Sequence, residues 1–253
     1  MTQSTARPVA LITGATSGIG VVIAQQLERD GFTVAVSGRS DERGRAVVDS
    51  IGENATFVRA DMTEPGAAKR LVETVVEQLG RLDVLVNNAA IDHTNDLLDV
   101  GEDEIRSTFE TNTYGPMNLL IAAARQMREQ GDGGAIINTT SRLASIGVPT
   151  MGIYSASKGA MEAFTRAAAI DLAKYNIRVN AVAPGMTRTP LYQEWLEGLP
   201  DPEAEAKHVA EQIPLKRIAE PEDVAAAVSF LASPGASYIT GTSIPVEGGY
   251  LAK

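Results

Sequence analysis

The sequence predicts an α/β fold: a single doubly wound domain over residues 1–253, with a seven-stranded parallel sheet carrying helices on both faces. Three observations predict it. Short β-branched runs alternate with helical stretches along the whole chain, and parallel neighbours need such crossover connections. The strand runs are almost continuously apolar, as in a sheet covered on both sides. A glycine-rich turn, Thr13-Gly14-Ala15-Thr16-Ser17-Gly18-Ile19-Gly20, joins the first strand to the first helix. At 253 residues and 44% hydrophobic content the chain can bury a substantial core, and no repeat or linker divides it.

Each element follows from its local signals. Val9–Thr13 is a strand, and the helix after the glycine turn runs through Asp30 until Gly31 ends it. Thr33–Ser37 is the second strand, Glu42–Ile51 a helix, and Thr56–Arg59 the third strand. Pro65 suits the first turn of a helix running to Leu79, with Thr63 or Glu64 near its cap and Gly80 closing it. Strand Val84–Val86 runs into Asn87-Asn88-Ala89-Ala90. A long helix is expected over Glu102–Gln130, and Gly131-Asp132-Gly133-Gly134 turns it into strand Ala135–Thr139. A second long helix is expected over Ser155–Tyr175, then strand Arg178–Val182. A Pro- and acid-rich segment extends from Pro184 to about Arg217. A helix at Glu222–Leu231 and a strand at Ser243–Val246 complete the pattern.

Charge and residue usage exclude several functions. The 32 acidic against 22 basic residues give a net charge of −10, which repels nucleic acid and anionic membranes. With no cysteine there is no disulfide, thiol nucleophile or zinc-thiolate site. The two histidines, His93 and His208, are far apart, so no metal site is expected. Met1 to Pro8 is polar, without a signal-peptide core, and no apolar run reaches the ~18 residues of a membrane span. A cytoplasmic protein is expected.

Glycines in the first turn allow a tight bend and let backbone amides approach a pyrophosphate at a helix N-terminus. The gap between the first two glycines is longer than in the common G-x-G-x-x-G pattern, but the strand–turn–helix context points to a dinucleotide. The tip of the second strand, Ser37-Gly38-Arg39-Ser40, carries no acid to bind a ribose 2′-hydroxyl. Arg39 can instead fork onto a 2′-phosphate, with Ser37 and Ser40 as hydroxyl donors. NADP(H) is therefore preferred and NAD(H) stays open, because Asp41 and Glu42 nearby could neutralise Arg39, leaving it a solvated loop charge.

Tyr154-Ser155-Ala156-Ser157-Lys158 places a phenol and an ammonium four residues apart, on one helical face. A neighbouring cation stabilises tyrosinate, and lowering the phenol pKa from ~10 to ~7 takes roughly 4 kcal/mol of differential stabilisation. A phenol so poised can exchange a proton with an alkoxide. The pair alone is weak evidence. Together with Ser141, thirteen residues upstream, and the glycine turn it is specific.

On these residues the chain resembles the classical short-chain dehydrogenase/reductase family over nearly its full length, and within it 3-oxoacyl-carrier-protein reductases and carbonyl reductases. Asn87-Asn88-Ala89 is similar to the fourth-strand signature, Asn112 to the asparagine of the central helix, Pro184-Gly185 to the turn after the sixth strand, and Val246-Glu247-Gly248-Gly249 to the C-terminal ending. The resemblance implies a Rossmann-type strand order of 3-2-1-4-5-6-7. It implies that Ser141 binds the substrate oxygen, Tyr154 exchanges the proton, Lys158 bonds the nicotinamide ribose, and Asn112 holds a relay water. Asp61 would contact the adenine, with Met62 beside it, and Asn88 and Thr187 would bracket the nicotinamide half. The remaining cofactor contacts would come from Gly14, Thr16, Ser17, Gly18, Ile19, Gly20, Ala89, Pro184 and Gly185. Substrate contacts would fall to Leu143, Met186, Leu191, Tyr192 and Trp195, and the chain would form a homotetramer. Two positions depart from the pattern: Ala90 stands where glycine is common, and Thr140 where serine is frequent.

Blander roles compete at several positions. Ser17, Ser155 and Ser157 suit cofactor contact, capping or packing, since no histidine forms a triad with them. His93 is either a surface-loop residue or a neighbour of the active-site mouth, and His208 is expected to face solvent. The segment of about 186–217 reads as a substrate lid, although Leu191–Leu196 would also suit a helix packed on the core. The function expected is hydride transfer between NADP(H) and a small carbonyl or secondary alcohol. The alternatives are an NAD-dependent alcohol dehydrogenase, a non-catalytic dinucleotide sensor, and an epimerase or dehydratase that uses its cofactor transiently.

Overall fold

A computed structural model describes residues 7–253; most of the polar Met1–Pro8 stretch lies outside the described residues. In chain order the elements are β1 (Val9–Thr13), α1 (Gly18–Arg29), β2 (Thr33–Gly38), α2 (Asp41–Ile51), β3 (Ala55–Arg59), α3 (Ala67–Leu79) and β4 (Val84–Asn87). There follow α4 (Glu102–Phe109), α5 (Gly115–Gln130), β5 (Gly134–Thr139), α6 (Gly152–Leu172), β6 (Ile177–Pro184), α7 (Pro190–Glu197), α8 (Pro202–Gln212), α9 (Pro221–Ala232) and β7 (Ser243–Val246). The seven strands form one sheet in the order β3-β2-β1-β4-β5-β6-β7, and every pairing is parallel.

Alternation along β1 shows how the sheet divides the core. Ala10 and Ile12 face a layer with Ile23 and Leu27 of α1 and Val224, Val228 and Leu231 of α9. Val9 and Leu11 face the opposite layer, with Leu71 and Val75 of α3, Leu119 and Met127 of α5, and Ala168 of α6. Successive strand side chains point to opposite faces, so strands buried on both sides must be apolar throughout. A third, smaller cluster joins Tyr192 and Leu196 of α7 to Ile213 and Ile218.

The structure corrects several element boundaries. The helix expected over Glu102–Gln130 is interrupted by a π-helical turn at Glu110–Tyr114, a device that is frequent at functional sites. The helix expected from Pro65 begins at Ala67. Asp61 Oδ1 accepts hydrogen bonds from the Thr63 amide and hydroxyl at 3.0 and 2.7 Å, and this local turn keeps Thr63 and Glu64 from capping the helix. The helix expected from Ser155 begins at Gly152, which brings Tyr154 onto it. The Pro-rich segment after Pro184 holds two helices, α7 and α8.

A buried polar chain ties these layers together beneath the site. Asn87 Nδ2 donates to Asn138 Oδ1 at 2.9 Å and to the Pro116 carbonyl at 3.1 Å. Asn138 Nδ2 donates to Thr165 Oγ1 at 2.8 Å, whose hydroxyl donates to the Met161 carbonyl at 2.7 Å. The chain crosses from β4 to α5, β5 and α6. Replacing Asn138 with alanine strands two buried partners, so we expect Asn138→Ala to lower the unfolding free energy by about 2 kcal/mol. Urea unfolding followed by circular dichroism checks this, and an unchanged midpoint would show the network to be dispensable.

Candidate active site

Strand order reverses between β1 and β4, the position at which open α/β sheets leave a crevice beyond their carboxyl ends. A cleft of about 350 Å³ opens there, lined by Gly14, Thr16, Ser17, Gly18, Ile19, Ser37, Arg39, Asp61, Met62, Asn88 and Ala89 among others. Gly14 and Gly18 have φ of 63° and 55°, left-handed values that glycine adopts without a Cβ penalty. At Gly14 a Cβ would also sit 2.7 Å from Ala89 Cα. The turn therefore lies flat against the end of β4. Thr13 Oγ1 accepts from the Asn88 and Ala89 amides at 3.1 and 3.2 Å, and Asn88 Nδ2 donates to the Thr13 and Gly14 carbonyls at 3.1 and 3.2 Å. In the structure the Asn88 side chain thus braces the glycine turn.

The donor set suits a dinucleotide. Ser17 caps α1 without a side-chain cap hydrogen bond, so the helix N-terminus faces the cleft with a free hydroxyl and positive dipole. Arg39 is exposed, and among the described residues it has no hydrogen-bond or ion-pair partner. Asp41, the suspected neutraliser, pairs with Arg59 at 3.2 Å. Arg43, four residues on in the first turn of α2, lines the same wall. Asp61 sits across from these cations. Burial works against its carboxylate, but the Thr63 hydrogen bonds and the Arg39 charge hold it below the usual range.

Other predicted contacts lie off the cleft wall. Ser40 Oγ caps α2 by accepting from the Arg43 amide at 3.3 Å. Gly20 packs under the turn. Pro184 and Gly185 end β6, where the Gly185 amide bonds the Val246 carbonyl at 2.9 Å. Thr187 is buried and donates to the Gly185 carbonyl at 3.1 Å. Of the predicted substrate contacts, Leu191 reaches the cleft. Tyr192 is buried in the small cluster of α7 with Leu196, Trp195 is exposed, and Met186 lines a separate hollow near Val246. Leu143 is half-buried, its amide donating to Ser141 Oγ at 3.1 Å. His93 is held by Thr108 Oγ1 at 2.9 Å, and His208 is exposed.

At the far end of the cleft stand Ile91 and Thr111, and Asn112 begins the link to the acid/base group. Set in the π-helical turn and fully buried, Asn112 accepts from the Ile91 amide at 2.8 Å and donates to the Ile91 carbonyl at 2.7 Å. Its Nδ2 also donates to Ser157 Oγ at 3.2 Å, and that hydroxyl donates to the Tyr154 carbonyl at 2.7 Å. Ser141, Tyr154 and Lys158 come together here: the Ser141 hydroxyl lies close enough to the phenol to favour its charged form, and Lys158 Nζ lies 5.6 Å from the Tyr154 ring centre.

The electrostatics correct one expectation. Burial pushes the Tyr154 phenol up to about 12, the Asp92 carboxylate adds to this, and only the Ser141 hydrogen bond pulls it down. Burial likewise pulls Lys158 down to about 8, against the support of Asp92. Its Nζ donates to the Thr139 carbonyl at 2.9 Å. These residues by themselves hold a protonated phenol beside a readily discharged ammonium. The Thr139 and Ser155 hydroxyls nearby are buried without a partner, which leaves hydrogen-bonding capacity for a bound polar group. Asp92, like Arg43, is not singled out by the sequence.

The family model described as Enoyl-(Acyl carrier protein) reductase matches residues 14–251. A 3-oxoacyl-(acyl-carrier-protein) reductase of Staphylococcus epidermidis is 40% identical over 244 residues, covering 95% of this chain and 97% of that protein. Versicolorin reductase of Emericella nidulans is 40% identical over 252 residues, covering 95% and 94%. A structure described as a short-chain alcohol dehydrogenase from Sinorhizobium meliloti superposes with a TM-score of 0.91 at 37% identity, covering 99% of this chain and 98% of that one. An NADPH-dependent reductase of bacilysin biosynthesis gives a TM-score of 0.92 at 27% identity, covering 98% and 100%. The glycine turn at the strand switch point, the Ser–Tyr–Lys group and these full-length matches lead to one assignment: the chain belongs to the short-chain dehydrogenase/reductase family, NAD(P)-dependent oxidoreductases acting on CH–OH and carbonyl groups.

Proposed function

We propose that the protein is an NADP(H)-dependent ketoreductase in which Tyr154 is the general acid for carbonyl reduction and the general base for the reverse. The observation that carries this reading is the grouping of Ser141, Tyr154 and Lys158, tied through Ser157 and Asn112 to Ile91, which lines the same cleft as Arg39 and Arg43. Gly14 to Gly20 and the α1 N-terminus would cradle the pyrophosphate, Asp61 the adenine, and Arg39 with Arg43 the 2′-phosphate. Lys158, Thr139 and Ser155 would serve the nicotinamide half. When bound, the cofactor supplies or accepts the hydride.

The chain's own residues handle the oxygen and the proton. Ser141 orients the carbonyl oxygen and donates to it as charge develops. Tyr154, protonated across the neutral range because its pKa lies near about 12, gives up its proton to the nascent alkoxide, whose basicity exceeds its own. Lys158 steadies the resulting phenolate, and the Asn112–Ser157 link fixes the height of Tyr154 on its helix. In the oxidative direction Tyr154 would take the proton back, and a positive charge on a bound cofactor would favour its phenolate.

The domain is read as a single unit in which the segment of about 186–217 closes over substrate; Leu191 already reaches the cleft. Assembly as a homotetramer would cover Tyr114, Ile121, Ile170, Phe230 and Tyr238, which are exposed in the single chain.

Three outcomes test the proposal. Tyr154→Phe should retain NADPH binding by fluorescence titration yet lose about 100-fold or more in turnover of a ketone panel; near-normal turnover would remove Tyr154 from the proton step. Arg39→Ala should weaken NADPH at least tenfold more than NADH in the same titration, whereas equal losses would deny that Arg39 reads the 2′-phosphate. The value of kcat/KM for reduction should fall as pH rises through about 8, where Lys158 loses its proton, while Tyr154 stays protonated. A rate that climbs through that range would assign control to a different group.

A further inference from the structure

The turn after β7 folds back onto the residue next to Ser141. Gly248, at φ 67°, bends the chain there, and a Cβ on it would stand 2.5 Å from Ile213 Cγ2. The Leu215 amide donates to the Gly248 carbonyl at 3.1 Å, and Lys253 Nζ donates to the Gln212 carbonyl at 2.7 Å. The Leu251 amide donates to Glu247 Oε2 at 2.9 Å. The short turn Tyr250–Ala252 is thereby fastened to the end of α8. Its Tyr250 ring carries two cations, with the Arg142 guanidinium carbon 4.0 Å and Lys253 Nζ 4.1 Å from the ring centre. Both lie well within the reach of a cation–π interaction.

Arg142 follows Ser141 directly and opens the turn Arg142–Ala144, which Ser141 caps. Ser141 Oγ accepts from the Leu143 amide at 3.1 Å, and the Ser141 carbonyl accepts from the Ala144 amide at 3.0 Å. The turn also lies against α6, where a Cβ on Gly159 would come within 3.9 Å of the Ala144 carbonyl. Burial works against the charge of Arg142, with Tyr250 and Glu247 supporting it, and among the described residues Arg142 has no ion-pair partner. The Tyr250 ring is what holds its side chain. A hydroxyl that caps a turn is placed only as well as the turn itself, and small misplacements at a reacting oxygen are costly.

We propose that Tyr250 is a positioning residue for reduction: its ring holds Arg142, Arg142 holds the turn, and the turn sets the Ser141 hydroxyl at the substrate oxygen. This rests on the ketoreductase reading above, in which Ser141 meets that oxygen, and the test separates the two. Reduction of ethyl acetoacetate, a β-keto ester, is followed by NADPH absorbance for the wild type, Tyr250→Leu, Tyr250→Phe, Arg142→Met, Ser141→Ala and the double variant Ser141→Ala with Tyr250→Leu. The Kd for NADPH and the unfolding midpoint are measured for each.

Tyr250→Leu and Arg142→Met should each lower kcat about tenfold while leaving the NADPH Kd within about twofold of wild type. Tyr250→Phe keeps the ring face and should restore most of the lost rate. Arg142→Met leaves Tyr250 in place, so it reads the stack even where Tyr250→Leu weakens folding. In the Ser141→Ala background Tyr250→Leu should cost less than about twofold, because the hydroxyl it serves is gone. An unchanged kcat in Tyr250→Leu and Arg142→Met, no rescue by Tyr250→Phe, or a full loss that persists without the Ser141 hydroxyl overturns the assignment while the ketoreductase reading stands. A wild-type kcat in Ser141→Ala overturns the role that reading gives Ser141, and the positioning role with it.

Discussion

The site depends on one carboxamide. Asn112 satisfies both backbone polar groups of Ile91 and reaches Ser157 on α6, so it joins the loop after β4 to the helix that carries Tyr154 and Lys158. Asn112 is presented by the π-helical turn at Glu110–Tyr114, which widens one turn of the helix. The turn gives up ideal helical hydrogen bonding over five residues and gains a buried polar bridge across the mouth of the cleft. The Asn87–Asn138–Thr165 chain continues this bridging below it, from β4 through β5 to α6.

With its height set in this way, the acid/base group is governed by desolvation. Tyr154 and Lys158 respond to burial in opposite senses, the phenol upward to about 12 and the ammonium downward to about 8, because each loses solvation of its charged form. Both shifts favour neutral groups. A neutral phenol is the starting state that the proposed proton donation to an alkoxide would need.

Much of the fold was legible because the strands are buried on both faces, so their residues are apolar without interruption and the glycine turn marks the switch point between β1 and β4. The Ser141, Tyr154 and Lys158 group was legible from spacing. Features set by tertiary distance were not. The Glu110–Tyr114 stretch has helical spacing, and only its buried partners reveal the π-helical turn. Asp92 stands in a loop remote in sequence from Tyr154, where nothing local distinguishes it from the exposed acids Asp96 and Asp99. The split of α7 into two faces was not legible either: Tyr192 and Leu196, four residues apart, take the buried face, leaving Leu191 and Trp195 on the other. The direction of the Tyr154 shift could not be read from the lysine alone, since burial is the largest influence on it.

An excess of ten negative charges sits oddly with a cleft suited to a polyanionic cofactor, and the resolution lies in where the charges stand. Arg39 and Arg43 occupy the tip of β2 and the first turn of α2, at one end of the cleft, together with the positive end of the α1 dipole. Among the described residues Asp61 is the one acid on the cleft lining, and the other acids lie elsewhere. Screening at physiological salt confines each charge's influence to roughly 8 Å, so the net charge has little bearing on the cleft. A phosphate-bearing ligand entering the cleft would therefore meet Arg39, Arg43 and the helix N-terminus, whatever the sign of the rest of the surface.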